Sequence, residues 1–123
     1  MMVALNMNGA YDLTYSDISK YVTKNSAGNY ALGNMKIDKV GRKIFVVKYV
    51  GRSDTDVAGR LKQHVGEKYK NFKYSYATSP KAAFEEECRN YHDFGETDSL
   101  DNNIHPRRPD GCGWKCPYCN VFN

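Results

Sequence analysis

The sequence predicts an α+β domain with a small three-stranded antiparallel sheet flanked by helices and followed by an irregular C-terminal tail. Three observations carry this: a β-branched and aromatic run at Ile44 to Val50, strict alternation over Phe72 to Ala77, and three helix-start signals before, between and after the strands. Residues 1 to 13 show no period and read as a loosely docked arm. Thr14-Tyr15-Ser16-Asp17 has the form of a capping box, and Ile18, Tyr21 and Val22 share one face of a helix ending near Lys24. After the turn-rich Asn25-Ser26-Ala27-Gly28 come strands at about 29–35 and 44–50, joined through a charged loop that contains Gly41. Ser53-Asp54-Thr55-Asp56 repeats the capping box and opens a helix with Val57, Leu61 and Val65 inward until Gly66 stops it. Phe72, Tyr74 and Tyr76 alternate with smaller or charged residues, as a half-buried strand requires. Ser79-Pro80 then starts a last helix through Phe84, Cys88 and Tyr91 to Gly95.

Length and composition bound the function. A chain of 123 residues is one domain, divided here into an arm and helix (1–27), a core (28–95) and a tail (96–123). With 13% aromatic residues, ten of them tyrosine, it has enough large side chains to close a core and is not disordered. Its longest apolar run, Ile44-Phe45-Val46-Val47, is far short of the ~20 residues that span a bilayer, so no membrane partner is expected. Polar Asn6, Asn8, Asp12 and Asp17 interrupt any secretory core, and the expected compartment is a reducing cytoplasm. The net charge of +4 conceals a split: residues 42–81 carry ten basic and three acidic groups, and residues 82–101 seven acidic groups against Arg89. Such a basic middle fits a phosphate-contacting surface, with Arg52, Lys62 and Lys68 as candidate nucleic-acid contacts.

Six polar residues sit where a core explanation is weak. Tyr30 falls in Gly28-Asn29-Tyr30 at the start of one strand, and Tyr49 in Tyr49-Val50-Gly51 at the end of the next. Arg60 and His64, four apart, share a helix face; Glu87 lies between Phe84, Cys88 and Tyr91; and Asn102 closes the set. The ordered pattern Gly-x-Tyr, Tyr-Val-Gly, Arg-x-x-x-His, helical Glu, Asn resembles the GIY-YIG nuclease family over about three fifths of the chain. It departs from that family in Asn29, where an aliphatic is usual, and in the eighteen residues between Tyr30 and Tyr49, which make a longer hairpin.

The resemblance implies a metal-dependent endonuclease that hydrolyses phosphodiester bonds, in DNA first of all. Glu87 would hold one Mg2+ (or Mn2+), with Glu85 and Glu86 as competing carboxylates, and Asn102, with Asn103 competing, would orient the site or the phosphate. Tyr30 would activate water with help from Tyr49 or His64, and Arg60 would favour the phenolate and donate to the phosphate. A homodimer or a partner protein would supply specificity. The alternative is a catalytically inactive module on the same fold that binds nucleic acid or protein.

Cys116-Pro117-Tyr118-Cys119 has the spacing of a zinc knuckle and needs two more ligands. Cys88 and His92, four apart on the last predicted helix, are the preferred pair, with Cys112 and His105 as alternatives. A structural Zn2+ there would clip the Asn-, Pro- and Gly-rich tail to the core. A thiol redox protein built on Cys116 and Cys119 is a third reading, but no strand-helix unit follows the motif.

Overall fold

The computed structural model describes residue 5 and residues 7–122. Eight elements follow in order: β1 (Asn8–Asp12), α1 (Tyr15–Tyr21), β2 (Gly28–Ile37), β3 (Lys43–Ser53), α2 (Val57–Lys62), β4 (Asn71–Tyr76), α3 (Pro80–Asp93) and α4 (Glu96–Ser99). The α+β class holds, but the sheet has four strands in the order β1-β4-β2-β3, all pairs antiparallel. The extra strand comes from the arm: β1 is only five residues long, contains Gly9 and lies at an edge, so it shows no alternation a sequence pattern can catch.

Local signals place most helix starts. Thr14 Oγ1 accepts from Asp17 N, and Ser79 Oγ accepts from Ala82 N with Pro80 at the first turn, as the capping patterns predict. The second helix differs. Its N-cap is Asp56, which accepts from Gly59 N, while Ser53 ends β3 and its Oγ accepts from Asp56 N at 2.8 Å. α2 stops at Lys62 rather than Gly66, and i to i−3 bonds link Gln63 to Arg60, His64 to Leu61 and Val65 to Lys62. Although α2 ends between them, Arg60 and His64 still point to the same place, since both side chains reach the Tyr30 hydroxyl.

Alternation along β2 sorts the core onto both faces of the sheet. Tyr30 and Leu32 face a cluster with Ile18, Val57, Leu61, Phe72 and Tyr74, under α1 and α2. Ala31 faces the opposite cluster with Val50, Tyr91 and Leu100, under α3. A third, smaller cluster joins Phe84 and Cys88 of α3 to Cys116 in the tail, with Trp114 and Phe122 packed on it. Buried Asn29, which departs from the aliphatic pattern, has a structural job: its Nδ2 donates to Ala83 O at 2.8 Å, fastening α3 to β2 one turn before Glu87.

The glycines of the two tyrosine motifs are needed by close packing. Tyr30 pairs with Gly51 across β2 and β3, and a Cβ on Gly51 would lie 2.4 Å from the Tyr30 hydroxyl. A Cβ on Gly28 would lie 2.4 Å from Ser75 O. Gly51→Ala should therefore displace Tyr30 and cost about 1–3 kcal/mol in urea unfolding. Gly113→Ala, at a site with open space around it and no left-handed backbone, should unfold like the parent.

Candidate functional site

β3 is the outer strand beside β2, and the tail covers part of its free edge. A β-bulge falls at Lys48, where Leu32 pairs with Tyr49 and Gly33 with Val47. Lys48 O accepts from Asp101 N, and the Asn102 side chain takes both backbone groups of Val50. Its Oδ1 accepts from Val50 N at 3.1 Å and its Nδ2 donates to Val50 O at 2.8 Å. Asn102 is buried and acts as one more strand residue. Both ends of its amide engage the backbone, which fixes Asn102 in the cleft wall and leaves one Nδ2–H uncommitted to Val50.

This docking leaves a cleft of about 690 Å³ lined by Tyr30, Tyr49, Gly51, Arg52, Asp54, Arg60, Glu87, and 101–107 of the tail. Five of the six constellation residues thus line one cavity, drawn from β2, β3, α2, α3 and the tail. The sixth, His64, touches the cavity lining from outside: its Nε2 lies 2.9 Å from the Tyr30 hydroxyl and its Nδ1 2.8 Å from Glu67 Oε1. The Tyr49 ring stacks beside Tyr30 at 6.5 Å and tilts over His64 at 5.6 Å.

Electrostatics in the cleft are set by burial. Burial, then neighbouring Tyr49, pushes the Tyr30 phenol well above its ordinary range; Arg60 pulls the other way and does not win. Arg60 thus favours the phenolate as expected, but burial outweighs it and Tyr30 rests as a phenol. Burial likewise raises Tyr49, helped by the Glu87 charge. Glu87, also buried, has its carboxyl raised by desolvation despite Arg52 Nη1 at 2.5 Å from its Oε1. Arg52 in turn donates from Nε to Asp54 Oδ1 at 2.9 Å and covers the Phe84 ring, so this candidate phosphate contact is engaged inside the protein. Lys68 pairs with Asp101 at 3.0 Å, and Lys62 is exposed but does not line the cleft. Exposed Arg107, in the cleft wall, makes no ion pair among the described residues.

Sequence reasoning passed over Asp54, Glu67 and Arg107. Asp54 reads as part of a cap, Glu67 follows the glycine that was to end the helix, and Arg107 sits in a segment without periodicity. Only Arg52-x-Asp54, opposite charges two apart at a strand end, offered a readable signal.

A second constellation lies behind the cleft. His92 of α3 meets His105, Cys116 and Cys119 of the tail, with all four ligand atoms within 4.8 Å of one another. His105 replaces Cys88 in the expected set. Cys88 is fully buried beside Phe84, where burial raises its thiol and favours the neutral form, while Cys112 stands apart from the cluster. Three of the separations are close to those of a tetrahedral metal: Nε2 to Nε2 is 3.2 Å, and His92 Nε2 to Cys116 Sγ and His105 Nε2 to Cys119 Sγ are both 3.4 Å, against about 3.3 Å and 3.6 Å for a tetrahedron with zinc–ligand bond lengths. The other ring nitrogens are already held, His92 Nδ1 by Glu96 Oε2 at 2.6 Å and His105 Nδ1 at 2.9 Å from Pro106 O, which turns both Nε2 atoms inward. Burial would raise the Cys116 thiol, but the Tyr118 backbone N–H, His105, His92 and Cys119 bring it down to about 6, so a thiolate ligand is available at neutral pH.

Set against protein-family models, curated proteins and solved structures, the chain gives no match. The purified protein should carry one tightly held divalent metal per chain by elemental analysis. His105→Ala should lose it on dialysis, whereas Cys88→Ala and Cys112→Ser should keep it. Asn102→Ala should cost roughly 2–4 kcal/mol in chemical unfolding, since it strands an N–H and a C=O of a buried strand residue.

Proposed function

We propose that the protein is a metal-dependent endonuclease of the GIY-YIG type, hydrolysing phosphodiester bonds in DNA, with a structural zinc holding its tail. The observation that carries this reading is the meeting of Tyr30, Tyr49, Arg60 and Glu87 in one cleft, with His64 bonded to Tyr30. Arg60 and Arg107 are the cleft cations without a carboxylate partner, suited to phosphate oxygens. The buried phenol of Tyr30 moves the proton of the attacking water, and its contact with His64 Nε2 gives that proton a destination. Glu87 would hold Mg2+ beside Asp54, after Arg52 yields part of its hold on Oε1. A bound Mg2+ would polarise the phosphate and stabilise the leaving oxygen. Zn2+ suits the His92, His105, Cys116 and Cys119 set, a closed four-ligand site of structural type.

The buried Arg52–Glu87 pair favours a second reading, an inactive module that binds nucleic acid or protein, because a carboxylate already neutralised has less need of a metal. Incubation with supercoiled plasmid, branched DNA and single-stranded DNA separates the two. The nuclease reading expects Mg2+-dependent cleavage, reduced about 10³-fold or more by Glu87→Gln with binding retained. DNA binding without cleavage across these substrates would leave the second reading standing. In either case affinity should fall steeply with salt, less so for Arg107→Ala, whose slope loses about one phosphate contact.

A further inference from the structure

Building on the nuclease reading, we propose that Glu67 is a positioning residue for water activation: it holds the His64 ring so that Nε2 accepts the Tyr30 proton. Donor chemistry decides the direction of both bonds. A carboxylate only accepts, so across the 2.8 Å contact with Glu67 Oε1 the hydrogen sits on His64 Nδ1. A neutral imidazole has one N–H, which leaves a lone pair on Nε2, and across 2.9 Å the Tyr30 hydroxyl must donate to it. The three groups form a carboxylate–imidazole–phenol chain. It runs from half-exposed Glu67, through His64 with 13% of its side chain exposed, to a phenol in the cleft wall.

Among the described residues Glu67 is the partner of Nδ1 that selects the tautomer, and without it an Nε2–H ring would donate to Tyr30 and block the proton's path. Arg60 and Tyr49 flank the chain, and Glu87 faces it across the cleft. None of them contacts Nδ1. Because burial keeps Tyr30 protonated, the phenol serves as a relay. Its oxygen takes a proton from the attacking water while its own proton passes to Nε2. The water oxygen bonds to phosphorus, the P–O bond to the leaving oxygen breaks with its electron pair on that oxygen, and solvent protonates the leaving group. The imidazolium, paired with Glu67, returns its proton to solvent.

The test is ¹⁵N NMR of the histidine rings in the metal-loaded full-length chain without substrate, joined to cleavage kinetics on plasmid DNA. Wild type should show His64 as the Nδ1–H tautomer. Glu67→Ala should show a mixture, and Glu67→Gln, which offers an amide N–H to Nδ1, should shift it toward Nε2–H. Both variants should unfold like the parent and lose roughly 10–100-fold in kcat with KM unchanged. A wild-type Nε2–H ring, or an unchanged tautomer in Glu67→Ala, overturns the proposal. A released tautomer with full-rate cleavage overturns the catalytic role of Glu67 and leaves the nuclease reading intact. A locked tautomer in a wild type that cleaves no substrate overturns the nuclease reading and, with it, the catalytic half of the proposal, while the Glu67–His64–Tyr30 coupling remains.

Discussion

The pairing of one side-chain amide with both backbone groups of one strand residue, Asn102 with Val50, is the contact on which the cleft depends. An outer strand carries unpaired N–H and C=O groups, which cost free energy if buried alone and invite other strands if exposed. Here a carboxamide satisfies both groups of Val50, and Asp101 N satisfies the bulged Lys48. From that fixed point residues 103–107 run along the cleft as its outer wall, and His105 reaches the histidine–cysteine cluster. Edge protection, cleft wall and metal ligand are therefore consecutive properties of one short segment.

Inside the cleft, burial competes with charge, and the outcome differs at each group. At Tyr30 it outweighs the guanidinium of Arg60 and keeps the proton in place. At Glu87 it opposes an Arg52 so close that the two groups share a hydrogen bond, and the carboxyl still rises. Two buried ionisable groups of opposite sign are costly to desolvate and costly to separate. Such a pair holds the cleft's geometry in place without a ligand.

The histidine–cysteine cluster sits where a tail poor in regular structure meets α3. Beyond Leu100 the described residues form no helix or strand, and their apolar anchorage on α3 includes the small cluster around Phe84, Cys88 and Cys116. Four potential ligands, one from α3 and three from the tail, are placed where a bound metal would supply the cross-link that so little apolar packing cannot. Cys88 contributes by packing. A buried small thiol at the base of the knuckle supports Cys116 without joining the ligand set.

What the sequence determined by itself are the features encoded within a few residues. These are the capped starts of α1 and α3, the alternation that makes β4, the β-branched run of β3, and the residue types of the cleft and the knuckle. Each is local, because a cap, a pleat or a ligand pair is specified by neighbours three or four positions away. Only the tertiary structure decided the rest. β1 exists because β4 offers it an edge, and α2 begins at Asp56 because Ser53 is drawn into the end of β3. His105 displaces Cys88 because the tail crosses the cleft before it reaches α3. Asn102 pairs with a strand residue, and Glu67 meets His64 because the chain turns after Lys62. All of these depend on where distant segments meet, and no pattern of neighbouring residues encodes that meeting.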